Sequence, residues 1–225
     1  MRIGQRFANK VNPEAIPGWA AGIYDKAAYL AIDSFYGPLA KEIVAALPTG
    51  RLLDVGTGPG YLPLEIVKRA KNISVVGIDA TARMIHIARL HAEAKGLGQR
   101  LDFRIGNAYS LAFRDNSFDM VISTGVLHAW KNPARALTEC HRVLRPGGSA
   151  WILDPAKILD ASSLPVWRRS LNRWDKFVYK IHCCRPLASR LQTLSFEEVK
   201  NLLAKTPFKD GYLERRDGIV IKLRK

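Results

Sequence analysis

The sharpest chemical feature of the chain is a glycine-rich turn that follows an apolar run. The sequence Leu-Leu-Asp-Val-Gly-Thr-Gly-Pro-Gly-Tyr-Leu, residues 52–62, leads through Asp54 into glycines at every second position. Glycine lets a chain turn tightly and approach a ligand closely, where a Cβ would clash. In a dinucleotide-binding turn the last glycine stands at position 61, but this chain has Tyr61, and the nearby carboxylate disfavours a pyrophosphate. The turn therefore predicts a site for a ligand that carries a cationic group.

A second acidic residue, Asp79, follows the next apolar run and lies 19 residues after Gly60. A carboxylate at this place in a βαβ unit can accept both hydrogen bonds from a ribose diol. The glycine turn and Asp79 together predict that the ligand contains a nucleoside.

The elements that must position these residues follow from the hydrophobic pattern. Apolar runs alternate with segments at helical spacing, which is typical of βα units and a mostly parallel sheet. The runs are residues 52–55, 74–78, 102–105, 120–123 and 150–153, and residues 211–215 and 218–223 predict two closing strands joined through Asp217–Gly218. Helices are predicted over residues 38–47, 61–70, 82–95 with Thr81 as N-cap, 133–145 with Asn132 as N-cap, and 196–205 with a capping box from Ser195.

Length and composition favour a single domain without a membrane span. The 225 residues are 48% hydrophobic, the longest apolar stretches fall short of the roughly 18 residues that a span needs, and the first residues lack the apolar stretch of a signal peptide. Of the three cysteines, Cys140, Cys183 and Cys184, two are adjacent, which favours a reducing compartment over a disulfide framework. No zinc-type ligand spacing is present, so we predict no metal. We expect a cytoplasmic protein, either free or peripheral to a membrane.

The chain is strongly basic, with 35 Lys and Arg against 20 Asp and Glu and a net charge of +15. Residues 156–190 interrupt the alternation after the fifth run as a basic insertion, and within it residues 166–182 place aromatic and apolar side chains at helical spacing. This stretch has four interpretations: a solvated amphipathic helix, a cover for a substrate pocket, a helix on an anionic membrane surface, or a contact for RNA. Residues 1–37 form an N-terminal lead or lid.

Four stretches resemble the class I S-adenosylmethionine-dependent methyltransferases. They are LLDVGTGPGYL (52–62), VVGIDATARMIHIA (75–88), GNAYSLAFRDNSFDMVISTGVLHAW (106–130) and ECHRVLRPGGSAWILD (139–154), and they are most similar to the small-molecule enzymes of ubiquinone and menaquinone biosynthesis. The resemblance implies one methyltransferase domain over residues 1–225. Its fold would be α/β: a Rossmann-like, doubly wound, seven-stranded and mostly parallel sheet with an antiparallel final strand and helices on both faces. S-adenosylmethionine would be the methyl donor and S-adenosylhomocysteine the product.

The resemblance also implies a role for individual residues. The cofactor's methionine part would lie against the turn, its ribose at the end of the second strand, its adenine beyond that strand, and its amino acid end beside the fourth. The methionine part would contact Asp54, Gly56, Thr57, Gly58 and Gly60, and the ribose would contact Asp79 and Ala80. The adenine would contact Met84, Asn107 and Ala108, and the amino acid end would lie beside Ser123. Relatives commonly carry Asp at the position of Asn107. Tyr24, His128 and Trp130 would form the substrate pocket, with His128 as the candidate base.

These features favour methyl transfer by in-line displacement to an O, N, S or C atom of a small or lipid-like acceptor. The fourth run lacks the Asn/Asp-Pro-Pro-Tyr/Phe motif of enzymes that methylate the amines of bases or glutamine, and Ser-Thr-Gly-Val stands at 123–126 instead. Two alternatives stay open: an RNA methyltransferase that uses the basic C-terminal third, and a cofactor-binding subunit without catalysis. A nicotinamide-dependent dehydrogenase is disfavoured by Asp54 and Tyr61.

Overall fold

The protein is built on one twisted sheet. The computed structural model describes residues 16–154, 196–215 and 219–225, and within them seven strands are ordered β3-β2-β1-β4-β5-β7-β6. The strands are β1 Gly50–Val55, β2 Ile73–Asp79, β3 Leu101–Ile105, β4 Phe118–Thr124, β5 Leu144–Asp154, β6 Asp210–Arg215 and β7 Ile219–Arg224.

The strand directions place a crevice at the centre of the sheet. β1 pairs in parallel with β2 on one side and β4 on the other, β3 extends the first half, and β5 extends the second. β7 runs antiparallel to both β5 and β6. The chain order therefore reverses between β1 and β4, and ligands of such sheets bind at the carboxyl ends of the strands at this point.

Helices cover both faces because side chains along each strand alternate between them. They are α1 Ala21–Leu30, a π-helical turn Ile32–Tyr36, α2 Gly37–Ala46, α3 Tyr61–Arg69, α4 Ala82–Ala94, α5 Pro133–Val143 and α6 Phe196–Leu203. In the front core, Leu52 of β1 packs with apolar side chains of α2, α3 and α4, including Ile43 and Ile66. In the back core, Leu53 shares a cluster with Leu137 of α5 and Val199 of α6. The predicted fold class is confirmed.

Helix α5 begins as predicted but ends earlier. The Asn132 side chain accepts a hydrogen bond from the Arg135 backbone N–H at 3.1 Å, which is the expected N-cap. The predicted end near residue 146 is wrong, because the helix stops at Val143 and residues 144–148 already belong to β5. Leu144 is fully buried and pairs with Phe118 of β4, so burial in the sheet prevails over continued helix.

Helix α4 begins at the predicted residue, but its N-cap residue makes a different hydrogen bond from the one expected. Thr81 occupies the N-cap position, but its hydroxyl makes no capping bond and instead donates to the backbone carbonyl of Ile16 at 3.3 Å. The hydroxyl therefore ties α4 to the segment that leads into α1.

Several predictions fall on residues outside the described ranges. These are the capping box at Ser195, the basic insertion 156–190 with its stretch 166–182, Cys183 and Cys184, the Asp217–Gly218 turn, and residues 1–15 of the N-terminal lead. The strands on either side of that turn do pair antiparallel, as predicted. Among the helices that the structure describes, none combines the length and apolarity that crossing a membrane requires.

Packing around β2 supplies a test of the front core. A Cβ on Gly77 would lie 2.6 Å from Phe103 Cδ1 and 2.7 Å from Thr57 Oγ1. We expect Gly77→Ala to lower the free energy of unfolding by about 1–3 kcal/mol, because overpacking forces neighbouring groups to move. Gly98→Ala is the matched control, since a Cβ there meets no atom within 4 Å, and it should change stability by less than about 0.5 kcal/mol. Equal urea midpoints for the two variants would contradict this account.

Candidate active site

The glycine turn connects β1 to α3 at the central crevice. Gly56, Gly58 and Gly60 have φ values of +79°, +54° and +81°, the left-handed region that favours glycine. A Cβ on Gly56 would lie 2.7 Å from Val126 Cγ1, and one on Gly60 would lie 2.8 Å from Phe103 Cζ. The turn therefore needs glycine both for its backbone and for the close approach of its neighbours.

The backbone N–H groups of the turn are committed inside the protein. Those of Gly56 and Thr57 donate to the carbonyl of Ile78 at 2.8 and 2.9 Å, and that of Gly60 donates to the carbonyl of Thr57 at 3.1 Å. The Gly58 N–H donates to Asp79 Oδ2 at 3.0 Å. A pyrophosphate-binding turn instead points its N–H groups at the ligand. The geometry therefore disfavours a dinucleotide, as the sequence predicted.

Asp54 gives the turn a negative, buried floor. Its side chain is 1% exposed, and Asp54 Oδ1 and Thr57 Oγ1 have no hydrogen-bond partner among the described residues. Burial raises the pKa of Asp54 to about 7, and the negative charge of Asp79 adds to the rise. A buried carboxylate with a spare acceptor atom suits a cationic group such as an amino acid ammonium. The residues present thus fit the methionine end of S-adenosylmethionine.

Asp79 does more than the sequence indicated. Its Oδ2 accepts from the Gly58 N–H, and its Oδ1 accepts from the Thr81 N–H at 2.8 Å, so the carboxylate joins the glycine turn to the start of α4. Burial raises its pKa, and the two backbone hydrogen bonds oppose that rise. The Thr81 side chain also acts on this carboxylate and lowers its pKa, so Asp79 is held from three sides. Ala80, the next residue, is exposed at the same edge.

The N-terminal helix α1 lies over this turn. A Cβ on Gly58 would meet Tyr24 Cε1 at 3.6 Å, which places Tyr24 directly beside the glycine turn. Ala21 and Tyr24 also pack against Met84 of α4, which is 1% exposed. The structure therefore brings Tyr24, Gly58 and Met84 together and places α1 over this side of the glycine turn.

The predicted adenine contacts and Ser123 have internal hydrogen bonds. Asn107 lies on the surface after β3, and its Oδ1 accepts from the Tyr109 N–H at 2.9 Å; Ala108 is half-buried next to it. Ser123 is fully buried, and its Oγ donates to the Val55 carbonyl at 2.7 Å. The serine thus braces β4 against β1, and Asn107 shapes the turn that carries Ala108.

His128 forms a pair with an acid that the sequence analysis did not single out. His128 Nδ1 lies 2.8 Å from both Oδ1 and Oδ2 of Asp154, and the His128 backbone N–H donates to Asp154 Oδ2 at 2.7 Å. The two side chains are only 7% and 6% exposed. Asp154 ends β5 as Asp79 ends β2, and Asp54 is the penultimate residue of β1, so an acid at the end of an apolar run was the available signal. Trp130 is half-buried against the back core.

A phenol beside Asp54 was also missed. Tyr36 ends the π-helical turn between α1 and α2, and burial together with the negative charge of Asp54 raises the pKa of its hydroxyl. Such turns are frequent at functional sites. Tyr36 was missed because nothing in the sequence places residues 32–36 near β1.

The remaining candidates for chemistry are structural. Cys140 lies in the back core, and burial raises the pKa of its thiol to about 12, so it acts as a packing residue. Across residues 16–154, 196–215 and 219–225, no three His, Cys, Asp or Glu side chains are grouped so that they could hold a metal ion.

Comparisons with known proteins agree with this geometry. Residues 53–152 match a family described as a methyltransferase domain. The chain is 35% identical over 169 residues to the ubiquinone/menaquinone biosynthesis C-methyltransferase UbiE of Dinoroseobacter shibae, covering 67% of each chain. It is 39% identical over 149 residues to a ubiquinone biosynthesis O-methyltransferase of Cereibacter sphaeroides, covering 61% of this chain and 59% of the relative. Further curated relatives are matched over 44% and 53% of their length.

Solved structures show the same fold. A Methanococcus maripaludis protein assigned to the S-adenosyl-L-methionine-dependent methyltransferases superposes with a TM-score of 0.76 at 21% identity, covering 100% of this chain and 97% of that one. The [4+2]-cyclase SpnF is 32% identical, with a TM-score of 0.50 over 52% of this chain and 44% of the cyclase. The sequence match to the Dinoroseobacter enzyme shows the family of this chain in addition to its fold. This chain belongs to the S-adenosylmethionine-dependent methyltransferase family.

Proposed function

We propose that this chain methylates a small acceptor that carries a hydroxyl group, at that oxygen or at a carbon which the deprotonated oxygen activates. The observation that carries the proposal is the buried His128–Asp154 pair at the strand edge that also holds the glycine turn. Relatives named for C-methylation and for O-methylation in quinone biosynthesis support an acceptor of this class. Removal of a hydroxyl proton serves both reactions.

We infer that the cofactor lies along the edge formed by β1, β2 and β4. Asp54 and the glycine turn would hold the methionine part, and Asp79 with Ala80 would hold the ribose. The adenine would lie between Met84 under α1 and the turn at Asn107 and Ala108, with Ser123 supporting the amino acid end from below.

S-adenosylmethionine supplies an electrophilic methyl group on a sulfonium, so the protein has to position the acceptor and remove its proton. Asp154 can only accept hydrogen bonds, and therefore the Nδ1 of a neutral His128 carries the proton. Nε2 is then the basic nitrogen, available to take a hydroxyl proton from the acceptor. The buried carboxylate stabilises the imidazolium that forms, and its bond to the His128 backbone N–H fixes the ring.

Aromatic side chains give this region the character of a pocket for an apolar ring. Tyr24 of α1 and Trp130, which follows His128 in the loop after β4, are both half-buried. Flat apolar ligands bind in sites lined by aromatic groups with few polar ones. We therefore expect Tyr24 and Trp130 to contribute to the acceptor pocket.

A second candidate function is binding of the cofactor without methyl transfer. SpnF, named a [4+2]-cyclase, is 32% identical to this chain over the matched part. Family membership alone thus leaves room for other chemistry in the same pocket.

The test is a labelling experiment with the full chain. Purified protein and methyl-labelled S-adenosylmethionine are incubated with a cell lysate, and extractable small molecules are then separated from RNA and protein. Label in the small-molecule extract supports the proposal. Label that nuclease removes would instead support an RNA methyltransferase that uses residues 166–182. Cofactor binding without any label would support the second candidate.

Asp54 yields a prediction that separates stability from function. In the unfolded chain this carboxyl ionises near its usual pKa of 3.8, whereas in the fold it holds its proton up to about 7. The unfolded state therefore binds fewer protons between these values, and stability falls as pH rises through them. We expect Asp54→Asn to raise the free energy of unfolding of the cofactor-free protein by about 2–4 kcal/mol at pH 8, with the gain shrinking towards pH 4.

The same variant should bind S-adenosylmethionine about 10–100-fold more weakly, because a neutral amide replaces the charged acceptor. Denaturant unfolding and calorimetric titration measure the two effects. Asp102→Asn is the control, since Asp102 is half exposed and pairs with Arg104 on the surface, so both quantities should stay near wild type. If Asp54→Asn instead lowered the free energy of unfolding at pH 8, Asp54 would not carry an uncompensated charge in the cofactor-free protein.

The His128–Asp154 pair yields a prediction for catalysis. We expect His128→Gln and Asp154→Asn each to lower kcat by about 10²–10⁴-fold. The first change removes the base, and the second replaces the carboxylate by an amide that can donate to Nδ1 and leave the proton on Nε2. The dissociation constant of the cofactor should change by less than about threefold in either variant.

The loss should be smaller for acceptors with a more acidic hydroxyl, which need less help from a base. His86→Gln, at an exposed position on α4, is the control and should retain wild-type kcat. Wild-type kcat in both active-site variants would show that proton removal by His128 is not part of the reaction.

A further inference from the structure

Three polar side chains from three helices meet at the outer edge of the glycine turn. The Tyr61 hydroxyl, at the start of α3, donates to Asp25 Oδ1 of α1 at 2.9 Å. His91 of α4 places Nε2 3.4 Å from the Tyr61 hydroxyl and 3.7 Å from Asp25 Oδ1. Its Nδ1 lies 2.9 Å from the carbonyl oxygen of Pro59, inside the turn. We call Asp25, Tyr61 and His91 the clasp.

Because Tyr61 is buried, its hydrogen bond to Asp25 is costly to lose. Tyr61 is 8% exposed. Its burial raises the pKa of its hydroxyl, and the hydrogen bond to Asp25 raises it further. A buried hydroxyl that loses its partner keeps the full cost of leaving water. The ring of Tyr61 also packs on the His91 ring, with centroids 4.8 Å apart. The bond between Tyr61 and Asp25 therefore holds α1 against the rest of the domain.

The position of α1 controls access to the turn. Tyr24 precedes Asp25 on this helix and touches the site at Gly58, while Ala21 and Tyr24 pack over Met84. A ligand seated against Gly58 would lie beside Tyr24, so we expect its release to require movement of this part of α1. Whatever holds Asp25 in place thus also affects how long the ligand stays.

The protonation state of His91 changes the clasp. The carbonyl of Pro59 can only accept, so Nδ1 carries the proton in the neutral ring and Nε2 presents a lone pair. The Tyr61 hydroxyl already gives its proton to Asp25, so a neutral Nε2 faces acceptors only. A protonated Nε2 can instead donate to the Asp25 carboxylate and add an ion pair between α4 and α1.

We propose that Asp25, Tyr61 and His91 are positioning residues that hold α1 over the cofactor, and that protonation of His91 tightens the clasp and slows cofactor release. The inference rests on the proposed function in one respect: the glycine turn is taken as the cofactor site. The titratable groups that ring contacts and ion-pair distances place at the clasp are Asp25 and Tyr29 of α1, Tyr36 of the π-helical turn and Tyr61 of α3. Among these groups Asp25 alone can supply the negative charge.

Stopped-flow release of S-adenosylhomocysteine from the full chain tests the proposal. Tyr61→Phe and Asp25→Asn should each speed release about three- to fivefold, and the double variant should be no faster than either single one. Tyr29→Phe removes a phenol from the same helix, and this hydroxyl, on a residue 61% exposed, has no hydrogen bond in the described part of the chain. It is the matched control and should release product at the wild-type rate.

His91→Asn removes the group that can be protonated together with the ring that packs on Tyr61, so the pH dependence of its effect reports on protonation. Its side-chain amide can still donate to the Pro59 carbonyl, but it does not titrate. The release rate of this variant relative to wild type should be about three- to fivefold higher at pH 6 than at pH 8. Both proteins keep Asp54, so its own titration cancels in the ratio. His86→Asn, exposed on the same helix, is the control. A ratio that is the same at both pH values would overturn the role of His91.

Hydrogen exchange of the α1 amides in the cofactor-free protein separates failure of the clasp from failure of the proposed function. If wild type does not bind the cofactor, the proposed function fails, and exchange still reports on the clasp. Faster exchange of residues 21–30 in Tyr61→Phe and Asp25→Asn than in Tyr29→Phe supports it. Unchanged exchange and unchanged release in both folded variants would overturn it.

Discussion

The buried carboxylate of Asp54 is the constraint around which the site is organised. It is the penultimate residue of β1, it is 1% exposed, and its Oδ1 has no partner among the described residues. The turn that follows cannot relieve this charge, because the N–H groups of Gly56, Thr57 and Gly58 donate to Ile78 and Asp79 instead. The crevice is therefore electronegative at its floor, although the chain as a whole carries +15. A cation is the group that such a floor stabilises most.

Parallel pairing gathers acids at this edge and assigns each a different task. Asp79 and Asp154 end β2 and β5, and Asp54 is the penultimate residue of β1, so the sheet brings together residues that lie up to 100 positions apart. Asp54 keeps a spare acceptor atom, Asp79 binds two backbone N–H groups, and Asp154 holds a histidine ring. Three aspartates at similar places in the sheet therefore have different roles, because different groups surround each carboxylate.

The sequence predicted the features that follow from local pattern. Alternation of apolar runs predicted the sheet, and glycine spacing with Asp79 predicted the turn and its preference for a nucleoside with a cationic group. Residues whose importance depends on distant partners were missed. Asp154 matters because a loop residue 26 positions earlier folds back onto it, and Tyr36 matters because a π-helical turn places it by Asp54.

The same distinction explains the two partly correct helix boundaries. Asn132 caps α5 through a residue three positions away, a local interaction that sequence reading captures. The end of α5 depends on Leu144 pairing with Phe118 in the sheet, and the hydroxyl of Thr81 is drawn to Ile16, 65 residues away. Tertiary contacts in both places prevail over local preference.

The proposed function depends on two charged groups, Asp54 and the His91–Asp25 pair, whose energies we expect to change when the cofactor binds. Ionised Asp54 is costly in the cofactor-free fold and would be favourable beside a cation, so we expect cofactor binding to stabilise the domain. Acid weakens this contribution, because it neutralises Asp54, and strengthens any ion pair that His91 makes with Asp25. One carboxylate lies under the ligand and the other holds the helix above it. Through these two carboxylates, the proposed cofactor site and the proposed clasp respond to acid in opposite directions.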